Sequence, residues 1–371
     1  MSELELRGSR ERRERSRTYM VACEDGRRAL IQSQTDLEVT TPILPGNHIM
    51  IQVQENVLLS AFSNYKIGGP AKFFCKAKSE DEVKDAAAWA KQKNVAVFVL
   101  GGGTNLLIPE NGFDGLVIRP EMDFLEVNEE SISAGAGVSI AQLLNCTIVN
   151  SLSGLEWAGG LPGDFGGAIR GNAGAFGGEI KDSIGSVRSF DMEAMRFVER
   201  TGSECVFGYR ASIFKERPRE VVLSALLRMQ HGDAAKIRAT IEEKIAYRNE
   251  RQPLEYPNVG SIFKNVPLAK IHAAGGAEYK KAIKQGSLEF KGSRFSVKTD
   301  PFPVIPAAKL ISESGLAGKT AGGAAISPKH PNFIVNEHHA SAADVKKLIA
   351  LAKDEVYKKF GLQLEEEVQI L

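Results

Sequence analysis

From residue 51 onward, apolar and polar positions fall into short runs of alternating period. Apolar and polar residues alternate in IQVQENVLL (51–59), which predicts a strand. A helix follows: Ser79 stands at its N-cap with Glu82 three residues on, and EDEVKDAAAWAKQK is rich in helix formers up to Asn94. VAVFVL (95–100) is a continuous apolar run of strand length, and GLVIRP (115–120) reads as another strand. SISAGAG (131–137) predicts a strand, and a helix is expected near Ile140–Val149. SVRSFD (186–191) and VVLSALLRM (221–229) are further strands, and a polar helix over about 233–248 reads as a connector. In the last third, Ser341 caps an amphipathic helix carrying Val345, Leu348, Ile349, Ala352 and Val356, which Gly361 stops after Phe360. LQLEEEVQIL (362–371) reads as the final strand. Helices and strands are mixed, and no internal repeat is visible.

The first 49 residues break this pattern. Arg7, Arg10, Arg12, Arg13, Arg15 and Arg17 are interspersed with Glu11 and Glu14, and no apolar stretch follows that would make a secretory signal. A solvated tail, a nucleic-acid tail and a start codon assigned too early all fit; a start near Met50 is favoured, because strand alternation begins there at once.

Composition narrows the class. The 371 residues are enough for two or three domains, and a net charge of +1 argues against an electrostatic nucleic-acid binder. No apolar run is long enough to predict a membrane span. Cys23, Cys75, Cys146 and Cys205 are too scattered for a disulfide framework or a CxxC site, so the reducing cytoplasm is the expected compartment. The six histidines, His48, His231, His272, His330, His338 and His339, form no metal-ligand pattern.

Glycine is the outlier. Half of the 36 glycines fall between Gly101 and Gly185. LGGGTNLLIP (100–109) follows a strand, as phosphate loops do, and bare backbone lets N–H groups approach an anion. Thr104 and Asn105 add side-chain donors. The string is neither GxGxxG nor a Walker loop, and GKT at 318–320 lacks the upstream glycine. Alone, the triplet would be a flexible turn. A second cluster, GLEWAGGLPGDFGGAIRGNAGAFGGE (154–179), leaves room for a large flat ligand against bare backbone, and tight packing alone explains two such clusters poorly.

Three further strings carry candidate chemistry. FGYRASIFK (207–215) sets Tyr209 beside Arg210; NVGSIFKN (258–265) sets Ser261 after Gly260; LEEEV (364–368) sets Glu365 and Glu367 on one face of a strand and Glu366 on the other. Taken singly, these are a surface cation, a turn residue and a solvated edge.

Taken in order, with NYKIGGPA (64–71) and KHPNFIVN (329–336), these strings resemble the UDP-N-acetylenolpyruvoylglucosamine reductase family of bacterial cell-wall synthesis over about 53–371. The resemblance implies an α+β chain: an FAD-binding domain of the vanillyl-alcohol-oxidase (PCMH-type) kind, then a C-terminal α+β substrate domain. The expected division is a leader at 1–49, FAD-binding subdomains at 50–120 and 121–235, and a substrate domain at 236–371. It implies non-covalent FAD reduced by NADPH, then hydride transfer to C3 of the enolpyruvyl group of a UDP-sugar. Ser261 would protonate C2, and Arg210 and Glu367 would stabilise the enolate-like intermediate. Flavin contacts are expected at Gly101, Gly102, Gly103, Thr104, Asn105, Gly160, Pro162, Gly163, Gly166, Gly167, Asn172, Ala173 and Gly174. Substrate contacts are expected at Tyr209, Lys264 and Asn265, with Lys264 a point charge for a diphosphate. No nucleic acid, no membrane insertion and a monomer or weak oligomer complete the expectation.

The chain also departs from the family pattern. LRMQHGDAAKIRATI runs without the tyrosine-bearing insertion that one branch carries there, so closure by a lid tyrosine is not expected. Residues 266–306 form an insertion, in which LEFKGSRFSVKTDPFPV reads as strands with a turn that cover the pocket. The threonine pair usual before the KIGG motif is Ser63 and Asn64. His231 is the only histidine between Val53 and Arg248, which disfavours a histidyl-flavin bond. The competing readings are an FAD-dependent oxidase of the same fold acting on a sugar or alcohol, and a flavin-binding scaffold without catalysis.

Overall fold

The computed structural model describes residues 51–299 and 302–371; the arginine-rich segment and the expected start at Met50 lie outside them. The first sheet comprises Val53–Leu58 (β1), Pro70–Ala77 (β2), Ala96–Val99 (β3) and Phe113–Pro120 (β4), in the order β1-β2-β4-β3. β1 runs antiparallel to β2, whereas β2 and β3 run parallel to β4. The helix Glu80–Lys93 (α1) makes the crossover. Ser79 accepts the Glu82 N–H, and the Glu82 carboxylate accepts the Lys78 N–H at 2.8 Å. Asn94 ends the helix in the left-handed conformation. Its buried face of Val83, Ala86, Ala87 and Ala90 is small, so the helix lies close on the sheet.

The second sheet is antiparallel throughout. Leu125–Asn128 (β5), Ser131–Gly135 (β6), Ile184–Asp191 (β7), Arg196–Thr201 (β8) and Glu220–Arg228 (β9) take the order β8-β7-β9-β6-β5. The helices Ile140–Val149 (α2) and Phe165–Gly171 (α3) fill the connection from β6 to β7, and Ala234–Arg251 (α4) leads out after β9. One apolar cluster, including Ile118, Ile132, Phe165, Phe190, Leu223 and Ile241, joins both sheets and these helices.

The C-terminal part has its own core. Ala277–Gln285 (α5) precedes the hairpin Ser287–Phe290 (β10) and Ser293–Ser296 (β11); then come Ala307–Glu313 (α6), Ala324–Ile326 (β12), Ile334–Asn336 (β13) and Ala342–Phe360 (α7). The α7 residues Val345, Leu348, Ile349, Ala352, Val356 and Phe360 are buried against Ile262, Phe263 and Leu310. The same cluster takes in Tyr65, Ile67 and Leu107 from the N-terminal part. Among the described residues, no helix is long and apolar enough to cross a membrane.

The expected final strand is corrected. The strand is confined to Gln369–Ile370, parallel to Leu106–Leu107, and Glu366 makes a single antiparallel bridge to Phe263. The three acids before it turn to three different cations: Glu365 to Lys264, Glu366 to Lys353 at 2.8 Å, and Glu367 to Arg210 at 2.5 Å. Glu365 and Glu367 both act on Lys215, whereas Glu366 turns to Lys353, so the expected alternation of faces holds across the three acids.

The NYKIGG segment ties the two parts together. Tyr65 is fully buried, its Oη donates to the Ile334 carbonyl at 2.7 Å, and its own carbonyl accepts from Asn336 Nδ2 at 3.0 Å. Asn64 Nδ2 reaches the Asn258 carbonyl at 3.0 Å. Tyr65→Phe deletes one buried hydrogen bond without changing shape, and is expected to lower the unfolding free energy by about 1–2 kcal/mol in thermal or denaturant melts. An unchanged melt would show that this strut does not hold the parts together.

Candidate active site

A cavity of about 1390 Å³ lies where the glycine segments, the 208–211 turn, the 258–261 segment and the C-terminal tail meet. That exceeds the usual range for one small ligand, so cofactor and substrate fit together.

The two glycine segments build one wall. An added Cβ at Gly102 would stand 2.9 Å from the Gly163 Cα, and one at Gly163 would stand 2.7 Å from Thr104 Oγ1. Glycine at these positions lets the two loops touch. Gly101 and Gly167 differ: an added Cβ meets nothing within 4 Å, and both residues line the cavity, so side chains there would take up ligand space. Among the described residues, no protein acceptor pairs with the backbone N–H groups of Gly101, Gly102, Gly103 and Thr104. Orphan N–H groups on a bare loop suit a phosphate, and a broad glycine-lined wall suits a flat ring system, so these residues fit FAD.

Arg210 sits in a tight turn closed by Gly208 N to Ala211 O at 3.0 Å and Ala211 N to Gly208 O at 3.1 Å. Its φ of +55° is left-handed, a cost of about 1–2 kcal/mol for an L residue that the surrounding bonds must offset. Asn172 Nδ2 donates to the Gly208 carbonyl at 2.8 Å, and Lys215 Nζ donates to the Arg210 carbonyl at 2.7 Å. Arg210 Nε donates to Glu367 Oε1 and Nη2 to the Gly174 carbonyl at 2.7 Å. Burial works against the Arg210 charge; Glu367 outweighs it and raises the guanidinium pKa. Tyr209 lines the cavity and packs edge-on against Phe302, ring centroids 5.0 Å apart.

Ser261 is held on both sides. Gly260, with φ +80°, gives its N–H to Asn258 Oδ1 at 3.0 Å, and Asn332 bonds both the N–H and the carbonyl of Phe263. The Ser261 side chain lines the cavity, and its Oγ has no hydrogen-bond partner among the described residues. Glu367 reaches the same place through the backbone: its N–H donates to the Ile262 carbonyl at 2.8 Å, and its carbonyl accepts from Asn105 Nδ2 at 3.1 Å.

The structure brings Arg210, Ser261, Glu367, Tyr209 and Asn265 to the cavity, together with Gly101–Asn105, Gly160, Pro162, Gly163, Gly167, Ala173 and Gly174. Three expected contacts are not on its lining. Gly166 packs on Ala136, just after β6, where an added Cβ would stand 2.8 Å from the Ala136 Cβ. Asn172 is fully buried and serves the protein itself, bonding Gly208 and Glu179. Lys264 turns away to Glu365. Asn265 lines the cavity, yet its Oδ1 accepts the Ala307 N–H at the start of α6. Sequence reasoning missed Lys215, Arg248, Lys298 and Thr299, all on the lining. Lys215 was already inside the FGYRASIFK string; the others carry no local signal. His231 lies outside the lining, on a short exposed strand.

Comparison with known proteins identifies the family. Residues 252–371 match the model of the UDP-N-acetylenolpyruvoylglucosamine reductase C-terminal domain, and residues 71–197 match an FAD-binding domain. The chain is 34% identical over 320 residues to the UDP-N-acetylenolpyruvoylglucosamine reductase of Solibacter usitatus, covering 86% of this chain and 96% of that protein. It is 37% identical over 324 residues to that of Lactobacillus gasseri, covering 86% and 94%. The chain belongs to the UDP-N-acetylenolpyruvoylglucosamine reductase family. The crystal structure of the reductase from Thermus caldophilus superposes with a TM-score of 0.66 at 28% identity, covering 86% of this chain and 99% of that one. The α+β architecture of reductases in this family, an FAD-binding domain of the vanillyl-alcohol-oxidase kind followed by the family's C-terminal domain, is the architecture here.

Gly101→Val tests the cradle. Its Cβ meets no protein atom, so the melting temperature of the FAD-free protein should stay unchanged while FAD affinity falls at least about tenfold in equilibrium dialysis. Unchanged affinity would remove this loop from the cofactor site.

Proposed function

We propose that Ser261, Arg210 and Glu367 act on the substrate in this cavity. The chain is an FAD-dependent UDP-N-acetylmuramate dehydrogenase: it takes a hydride from NADPH and reduces UDP-N-acetylglucosamine enolpyruvate to UDP-N-acetylmuramate. FAD, when bound, supplies the relay for that hydride. Gly101–Asn105 would hold its phosphates, and the 160–174 segment would back its ring system.

The reaction adds a hydride at C3 and a proton at C2 of the enolpyruvyl double bond. As hydride arrives at C3, negative charge builds at C2 and spreads into the adjoining carboxylate. Ser261 Oγ gives C2 its proton. A serine is a poor acid in water, so it needs a fixed orientation and a water-poor site. The Asn258 and Asn332 contacts fix the backbone around it. Arg210 presents a planar guanidinium to the developing charge, and Glu367 fixes its direction. The observation that carries this reading is the convergence of Arg210, Ser261 and Glu367, far apart in the chain, on one glycine-walled cavity. An oxidase of the same fold would need the glycine wall but not this trio.

The same reading divides the chain into FAD-binding subdomains at 50–120 and 121–235 and a substrate domain at 236–371. Within it, the insertion adds Lys298 and Thr299 to the cavity wall. It places the enzyme in the cytoplasm, where Cys75, Cys146 and Cys205, all free, stay reduced. It takes the enzyme to be a monomer or weak oligomer.

Ser261→Ala should leave the bleaching of bound FAD by NADPH at the wild-type rate and slow reduction of the enolpyruvyl substrate by about 10²–10⁴-fold in stopped flow. Equal slowing of both half-reactions would make Ser261 a structural residue. Arg210→Lys should also be slow in the second half-reaction, because an ammonium lacks the planar fork. Turnover at the wild-type rate would remove Arg210 from the chemistry.

A further inference from the structure

Among the described residues, none gives the buried cation Arg248 a counter-ion. It lies in the last turn of α4, only 8% exposed, and lines the cavity. Its Nε donates to the Gly159 carbonyl at 2.8 Å, and its guanidinium stands 5.2 Å from the centre of the Phe176 ring. Nη2 is buried with no hydrogen-bond partner, and among the described residues no carboxylate forms an ion pair with Arg248. Burial lowers its pKa, and the Arg210 charge lowers it further.

Other buried cations in this chain are treated differently. Arg170 and Lys215 also lack a carboxylate, but each is met by a neutral acceptor: Gln369 Oε1 at 3.1 Å and the Arg210 carbonyl at 2.7 Å. Arg200 is held by both oxygens of Glu220 at 2.9 Å. Arg210 has Glu367 on Nε and the Gly174 carbonyl on Nη2. The Arg210–Glu367 pair is therefore electrically neutral as a unit, and two of its donor positions are already taken. Of the described buried cations on the lining that have no carboxylate partner, Arg248 is the one whose Nη2 is buried without a hydrogen bond. A lone guanidinium taken out of water is costly unless an anion meets it.

The local packing brings that charge to the cavity. An added Cβ at Gly159 would stand 2.5 Å from the Ile241 carbonyl, and one at Gly160 would stand 2.9 Å from Arg248 Cδ. Only glycine lets the 159–160 loop close on α4 and let the arginine stem pass. Phe176 then covers one face of the guanidinium and shields it from water, which strengthens its attraction for an anion.

We propose that Arg248 is the receptor for the carboxylate of the enolpyruvyl substrate, and that the substrate supplies the missing counter-ion. This rests on the reductase reading above and extends it. Arg210, oriented by Glu367, meets the charge that develops during hydride addition; Arg248 holds the carboxylate charge already present in the ground state.

The test uses two ligands that share the uridine diphosphate and the sugar and differ in the enolpyruvyl group: UDP-N-acetylglucosamine enolpyruvate and UDP-N-acetylglucosamine. Dissociation constants are measured by titrating oxidised holoenzyme, without NADPH, and following the flavin absorbance or the heat of binding. In Arg248→Met, binding of UDP-N-acetylglucosamine should stay within about twofold. Binding of the enolpyruvate ligand should weaken by about 30-fold or more, as for a truncated buried charge pair. Arg248→Lys should recover part of the loss, and Arg248→Gln, which can still donate to Gly159, should resemble Arg248→Met without disturbing the helix. Equal weakening for both ligands would assign Arg248 to the diphosphate. Loss of FAD affinity with an unchanged ligand ratio would assign it to the cofactor. Either result, or an unchanged ratio, overturns the proposal. Failure of the wild-type holoenzyme to bind the enolpyruvate ligand would instead overturn the reductase reading.

Discussion

The ion pair between Arg210 and Glu367 spans 157 positions of sequence and fixes the geometry of everything around it. Glu367 belongs to a short stretch of C-terminal chain that threads between three walls of the cavity. Its N–H bonds the residue after Ser261, and its carbonyl accepts from Asn105 of the glycine loop. Two residues on, the Gln369 N–H returns to the Asn105 carbonyl at 3.1 Å, and Gln369–Ile370 then pairs with Leu106–Leu107. Loop, serine and arginine are thus set in register by one segment. Moving that segment would move all three together.

The cost of this arrangement is met locally. Arg210 stays left-handed because Asn172, Lys215 and the Gly208–Ala211 closure all act on its turn. Asn172 never touches the cavity, yet it decides where Arg210 points. Tyr65 and Asn64 perform the equivalent task at larger scale, tying the first sheet to the segments that carry Ser261. The 298–302 region joins the same wall through Lys298, Thr299 and the contact of Phe302 with Tyr209.

Much of this was legible in the sequence, for identifiable reasons. α1 and α7 announce themselves by a capping serine, a periodic apolar face and a left-handed terminator at Asn94 and Gly361. The β10–β11 hairpin is marked by Lys291 and Gly292, both at positive φ between two alternating strands. α3 was hidden, because FGGAIRG has three glycines and helix propensity opposes it; burial of Phe165, Ala168 and Ile169 overrides that preference. The C-terminal strand is shorter than its alternation suggests, because pairing is limited to the Glu366 bridge to Phe263 and to Gln369–Ile370, while Lys264, Lys353 and Arg210 each take one of the three acids. At the site, glycine runs and the motif trio were visible in the string. Arg248 was not, since an arginine near a helix end looks the same whether or not a carboxylate awaits it in the fold.

Anaerobic stopped-flow absorbance near 450 nm tests the central claim most directly. NADPH is added to the holoenzyme, followed by UDP-N-acetylglucosamine enolpyruvate. The account predicts bleaching by the first and rapid recovery with the second, with UDP-N-acetylmuramate formed in step. Bleaching that only oxygen reverses would contradict it and point to an oxidase.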